Sequence, residues 1–126
     1  MHILDTHALI WYLRDAKELP PSTKELISSE NDICVSVVSL WEIAIKKNIG
    51  KLDFEYTPSD IERLCYEKDI LILPIRPKEL DILGTLGDIH NDPFDRLIVC
   101  QAINNAAIII TKDENVAKYP VRTYWK

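Results

Sequence analysis

The sequence predicts an α/β fold, a parallel sheet covered by helices on both faces. Two observations predict it. Strand-like and helix-like segments alternate along the whole chain, and three of the five strand segments are nearly continuous apolar runs, as strands buried on both faces are. Crossovers in such a sheet are right-handed, and sites lie beyond the carboxyl ends of the strands, where the strand order reverses.

Met1 to Leu4 is a short apolar strand that runs into Asp5-Thr6-His7. Ala8 to Arg14 reads as a helix, with Leu9, Trp11, Tyr12 and Leu13 supplying apolar surface. Leu19-Pro20-Pro21 is a break, after which Ser22 is expected to cap a second helix, with Glu25 at the capping-box offset. Asn31-Asp32 turns into a second strand, Ile33 to Val37. Ser39 is expected to cap a helix running to Asn48, and Gly50 stops it. A polar connection from Lys51 to Thr57 leads to Pro58 and a helix over Ser59 to Lys68, with Ile61, Leu64 and Cys65 on one side. Ile70 to Ile75 is the third strand. Pro77 opens a helix with Leu80, Leu83 and Leu86 at helical spacing, and Gly84 and Gly87 loosen its end.

The best-marked stretch is HNDPFDRLIVCQAINNAAIII, from His90 to Ile110. Asp92 is a good N-cap, and Pro93 suits the first helical position because its missing N–H would be unpaired there anyway. From Leu97 to Ile103 the helix is apolar almost all round; Asn104 and Asn105 end it, and Ala107 to Ile110 is the fourth strand. Thr111-Lys112-Asp113 leads into a short helix ending near Tyr119-Pro120, and Val121 to Tyr124 is the last strand. There is no internal repeat, linker or low-complexity segment, so residues 1–126 are expected to form a single domain with one core.

Hydrophobic residues make up 47% of the chain and charged residues 28%, the composition of a globular protein. The net charge of −5 argues against nucleic-acid binding by broad electrostatic attraction, but not against an enzyme with an acidic pocket that holds cations. Cys34, Cys65 and Cys100 are far apart, form no CxxC and sit beside apolar residues; they read as core residues in a reducing cytoplasm. Asp5 interrupts the first apolar run, so no secretory leader is expected, and no apolar run approaches membrane-spanning length.

Four carboxylates stand out by position. Asp5 follows the first strand and Asp113 the fourth. Glu42 has Val38, Ser39, Ile45, Lys46 and Ile49 as helical neighbours, and Asp95 has Ile98, Val99 and Ala102. A carboxylate on such a face is expensive unless its charge is compensated. If strands one and four are neighbours, all four acids converge on one cleft, where their repulsion calls for cations. Mg²⁺ or Mn²⁺ matches oxygen ligands; zinc does so less well, since the cysteines are not clustered and His2, His7 and His90 show no ligand spacing. Hard cations held by acids suit phosphoryl chemistry, in which the metal polarises the phosphate and activates a water.

Each acid also has a purely structural reading. Asp5 and Asp113 fit N-caps, Glu42 fits an i,i+4 pair with Lys46, and Asp95 at the third helical position suits the helix dipole. Asp92 is a cap first and a ligand second. Thr6 and Ser39 fit either caps or hydroxyls that bond a carboxylate or a ligated water, and Thr111 either supports the site or ends a strand. Lys46, Arg96 and Lys112 read as solvated charges before RNA contacts, and Trp11 and Trp41 as core or interface residues rather than base-stacking platforms. No GxSxG elbow, P-loop or GxGxxG occurs.

These residues resemble the PIN-domain nucleases, specifically the VapC-like toxins of type II toxin–antitoxin pairs. The stretches LDTHALIWYL, SVVSLWEIAIKKNIGKL, HNDPFDRLIVCQAI and IIITKD carry the resemblance, in the family's order and across nearly the whole chain. The resemblance implies a three-layer α/β/α fold with a five-stranded parallel sheet in the order 3-2-1-4-5. It implies a Mg²⁺- or Mn²⁺-dependent endoribonuclease whose catalytic and metal-holding acids fall on Asp5, Glu42, Asp95 and Asp113. Thr6, Ser39 and Thr111 are the supporting hydroxyls, and Asp92 adds a nearby carboxylate. It further implies a homodimer, a VapB-like antitoxin partner and structured RNA substrates such as tRNA or rRNA. A receiver-like phosphoacceptor domain is the alternative from another class, but it would want an aspartate after the third strand, where Pro74 and Ile75 stand. A PIN-like RNA-binding module without catalysis is the other.

Overall fold

The computed structural model describes residues Met1–Lys126. Five strands, β1 (His2–Leu4), β2 (Ile33–Ser36), β3 (Leu71–Leu73), β4 (Ile108–Ile110) and β5 (Arg122–Tyr124), form one parallel sheet in the order β3-β2-β1-β4-β5. Six α-helices connect them: α1 (Thr6–Leu13), α2 (Pro21–Ser29), α3 (Val37–Asn48), α4 (Pro58–Glu67), α5 (Pro77–Leu83) and α6 (Pro93–Asn105). A 3₁₀ turn over Val116–Lys118 precedes β5.

Alternation along the strands builds two cores. Leu4, Val35 and Ile110 pack with Leu9 of α1, Ile27 of α2, Ile43 of α3 and Ile61 of α4. Ile3, Cys34 and Ile109 pack with Ile98, Val99 and Ala102 of α6 and with Val116. The sheet is thus the middle layer of three, as expected. All three cysteines are buried, and burial pushes the thiols of Cys34 and Cys65 up to about 11, which makes them core residues rather than nucleophiles.

Several boundaries differ from the sequence reading, each for a local reason. The second helix begins at Pro21, whose fixed φ starts it one residue before Ser22, so the expected Ser22–Glu25 capping box does not form. The third begins at Val37: Ser36 Oγ accepts the Val38 N–H at 3.0 Å, which ends β2 and leaves Ser39 inside the helix rather than at its cap. On α4, Thr57 and Asp60 form a capping box that the sequence reading passed over. At α5 the helix turns Glu79 inward and leaves Leu80 50% exposed; Glu79 bonds the Arg76 N–H and the side-chain amides of Asn104 and Asn105. Strand β3 lies at the sheet edge, with Leu71 exposed.

The register positions the site. Leu4 of β1 stands opposite Ile110 of β4, so the next residues, Asp5 and Thr111, emerge side by side. The Asp5 N–H donates to the Ile110 carbonyl at 3.1 Å, which continues the pairing one step past the strands. Chain order reverses at this point, between β1 and β4.

Candidate active site

Asp5, Glu42, Asp92, Asp95 and Asp113 line one cleft of about 430 Å³ beyond the carboxyl end of β1. They come from four places in the sequence: after β1, on α3, at the start of α6 and after β4. Asp5 caps α1, where its Oδ1 accepts the Ala8 N–H at 2.8 Å. Its Oδ2 accepts the Thr111 hydroxyl at 2.5 Å. Thr111 Oγ1 also accepts the Asp113 N–H at 3.0 Å, so one hydroxyl ties the acids after β1 and β4 together. Burial pushes the Asp5 carboxyl above its usual range, against the Thr111 and Ala8 donors that pull it down.

Glu42 faces the cleft from α3 and is 3% exposed. Its Oε1 accepts the Thr6 hydroxyl at 2.5 Å, and its Oε2 takes the Lys46 ammonium at 2.5 Å. The structural pairing with Lys46 therefore holds together with the placement in the cleft. Burial works against the Lys46 ammonium, but the Glu42 contact outweighs it and raises its pKa. Ser39 is fully buried behind this pair, 2.9 Å from the Thr6 hydroxyl. Ser39 and Thr111 thus stand behind the lining acids, while Thr6 reaches the surface of the cleft.

Helix α6 supplies the rest. Asp92 caps it, with Oδ1 accepting the N–H groups of Phe94 and Asp95 at 2.8 and 3.2 Å. Asp95 sits in the first turn above the buried Ile98, Val99 and Ala102. Burial, and then the Asp92, Asp5 and Glu42 carboxyls, push Asp95 up to about 7. At Asp113 partial burial is outweighed by the His90 ring and the Asn115 N–H, which hold its carboxyl below the usual value.

His90, to which sequence reasoning gave no role, lies among these acids. Its Nε2 is 2.8 Å from Asp113 Oδ2 and 3.2 Å from Asp95 Oδ2. His90 and Asp113 are 23 residues apart, and no sequence spacing announces their contact. Of the two tryptophans expected in the core or at an interface, Trp11 packs against the core and Trp41, being exposed, is left to an interface. Trp11 lines the cleft and packs against the exposed His7 with ring centroids 5.5 Å apart, and Trp41 is 57% exposed.

The donor set tests whether a hard cation fits. Five carboxyl groups in the cleft face two ammonium groups, those of Lys46 and Lys112, and no cysteine lines it. Burial first, and then this surplus of negative charge, push the Asp95 carboxyl up to about 7. Carboxylate oxygens of Asp95 and Asp113 lie within 4.8 Å of each other. These residues fit Mg²⁺ or Mn²⁺, which take oxygen ligands and would relieve the repulsion.

Comparison with known proteins agrees with this architecture. VapBC2 from Rickettsia felis, in a complex with a promoter DNA fragment, matches with a TM-score of 0.73 at 17% identity, covering 99% of this chain and 98% of that one. DNA-bound VapBC from Salmonella typhimurium matches with a TM-score of 0.66 at 17% identity, covering 98% and 96%. No curated protein sequence shows significant similarity to the chain. The PIN domain family model matches residues 2–121, and the chain belongs to the PIN domain family.

Proposed function

We propose that this chain is a divalent-cation-dependent endoribonuclease, a single PIN domain that acts in the cytoplasm as the toxin of a VapBC-type pair. The observation that carries the reading is the convergence of Asp5, Glu42, Asp95 and Asp113 on one cleft whose negative charge its own lysines do not balance. Asp5, Glu42 and Asp113 each accept an N–H, hydroxyl or ammonium contact that fixes their direction and leaves lone pairs over, and Asp95 lies 3.2 Å from the His90 ring.

In this reading Asp5, Glu42, Asp95 and Asp113 hold Mg²⁺ or Mn²⁺, with Asp92 beside them. When bound, the ion supplies Lewis-acid polarisation of a phosphodiester and a water of lowered pKa. The chain's own residues do the rest. Thr111 and Thr6 fix the carboxyl planes of Asp5 and Glu42. Lys46 and Lys112 present positive charge to the phosphates of an RNA strand, whose approach the acids alone would oppose. Trp11 and His7 offer ring faces at the rim.

Two partners belong to the reading. The VapBC neighbours favour a VapB-like antitoxin, and the exposed apolar residues favour a homodimer. Val37 and Trp41 stand one turn apart on α3, and Trp41 packs edge-on against Phe94 at 5.1 Å, which makes an apolar patch suited to a protein contact. No helix is long and apolar enough to cross a membrane.

The test is incubation of the purified chain with tRNA and rRNA, followed by sequencing of RNA ends. Cleavage is expected with Mn²⁺ or Mg²⁺, and is expected to stop in EDTA and in Asp5→Asn. Cleavage that survives both changes undiminished overturns the nuclease reading. A PIN-like module that only binds RNA would retain RNA affinity with no new ends under any condition. Growth arrest on expression, relieved by an antitoxin encoded beside the gene, tests the toxin assignment separately.

A further inference from the structure

We propose that His90 is not a cation ligand but a neutral hydrogen-bond clamp, a positioning residue whose Nε2–H holds the Asp113 carboxylate beside Asp95. The inference rests on the reading of Asp95 and Asp113 as cation-holding acids.

The spacing invites the opposite conclusion. One ring nitrogen of His90 and one carboxylate oxygen from each of Asp95 and Asp113 all lie within 4.8 Å of one another, as three ligands of one ion would. The other side of the ring decides against it. The backbone N–H of Asp92 points at His90 Nδ1 from 3.1 Å. A backbone amide always carries its proton, so Nδ1 must accept and cannot bear one itself. With Nδ1 unprotonated the ring proton is on Nε2, where it is donated to Asp113 Oδ2 at 2.8 Å; Asp95 Oδ2 lies 3.2 Å from the same nitrogen without receiving a hydrogen bond. Both ring nitrogens are committed, and neither has a lone pair free for a metal.

The ring is also held in place. The His90 N–H donates to Tyr119 Oη at 2.8 Å, and the Tyr119 hydroxyl reaches the Gly87 carbonyl at 3.4 Å. Tyr119 is buried in the core beneath α6. The clamp therefore connects the loop before α6, the first turn of α6 and the turn after β4. With Nδ1 accepting and Nε2 donating, the ring sets the direction of the Asp113 carboxylate without offering a lone pair of its own to a cation. Groups that orient the ligands of a metal in this way typically change its affinity 10- to 100-fold when removed.

The test uses the full chain with ¹⁵N-labelled histidine, the His90 signals being assigned with His90→Gln. In EDTA the spectrum is expected to show an unprotonated Nδ1 and a protonated Nε2 at His90, and saturating Mg²⁺ is expected to leave that pattern intact. A protonated Nδ1 in EDTA, or loss of the Nε2 proton on adding Mg²⁺, overturns the clamp. Mn²⁺ titration without RNA gives the second readout. His90→Ala is expected to weaken Mn²⁺ binding about tenfold in the native chain but less than about twofold in Asp113→Asn, because the clamp acts through Asp113. His90→Gln, which keeps an N–H donor, is expected to recover part of the loss. Equal losses in both backgrounds overturn the proposal. If Asp95→Asn leaves Mn²⁺ affinity unchanged, the cation reading itself has failed, and the metal-free spectrum then decides for or against the clamp.

Discussion

Replacing Asp95 with asparagine is expected to make the metal-free protein more stable at neutral pH while removing part of the proposed cation site. Asp95 is pushed up to about 7 by burial and by the Asp92, Asp5 and Glu42 carboxyls. An aspartate in the unfolded chain titrates near 4. Between those values the folded state binds the extra proton, so the contribution of Asp95 to stability is most favourable at about pH 4 and below and is lost as pH rises toward 7. A shift of about three units corresponds to about 4 kcal/mol lost across that window. Asparagine carries no charge to crowd. It forfeits the favourable interaction of Asp95 with the N-terminus of α6, worth about 0.3–1 kcal/mol. The net gain above pH 7 is thus about 3 kcal/mol, and near pH 4 it is close to zero. The assay is urea unfolding in EDTA at pH 4.5 and 7.5. With a slope of about 1.5 kcal/mol per molar urea, the midpoint of Asp95→Asn is expected about 2 M above wild type at pH 7.5. A midpoint equal to or below wild type at pH 7.5 would refute the electrostatic account of the cleft.

The same charge surplus yields three more predictions. Mg²⁺ binding near pH 6.5 is expected to expel protons from the acids whose carboxyls are raised, Asp95 above all, so the calorimetric heat will vary with the ionisation enthalpy of the buffer; an invariant heat contradicts this. Thr111→Val removes the donor to Asp5 and the acceptor for the Asp113 N–H, and is expected to cost about 1–3 kcal/mol of stability and at least tenfold in Mn²⁺ affinity, measured by unfolding and by titration. Lys46→Met leaves the nearly buried Glu42 without its cation, so it is expected to destabilise the EDTA form by about 1–3 kcal/mol and to be rescued by Mg²⁺ more fully than Thr111→Val is.

Much of this architecture was legible because local signals and long-range demands coincide. The stretch Asp92-Pro93 announces the start of α6, and the α6 boundaries follow the sequence reading closely. The four acids were legible by the same logic, as charges on faces or strand ends that packing would otherwise fill. Where two local signals compete, the reading slipped. Ser36 and Ser39 are both good caps, and Val37-Val38 extends the apolar run of β2; the structure starts the helix at the first serine and uses the second behind Thr6. At α5 apolar spacing favours Leu80, but the amides of Asn104 and Asn105 lie where Glu79 can reach them, and a satisfied carboxylate is buried in preference to a leucine. His90 was illegible for a different reason. Its role depends on which nitrogen carries a proton, and that is set by the Asp92 N–H and by an aspartate brought from beyond β4. Exposure of Trp41 likewise depends on which neighbours pack over it, which helical periodicity alone does not specify.

The central claim is that a divalent ion makes the crowding of Asp5, Glu42, Asp95 and Asp113 tolerable. Anomalous diffraction at the manganese edge, from crystals grown with Mn²⁺, tests it most directly. The account predicts a peak in the cleft in contact with carboxylate oxygens of these acids and not with a His90 nitrogen. A fully occupied Mn²⁺ elsewhere on the molecule, with the cleft bare, would contradict it.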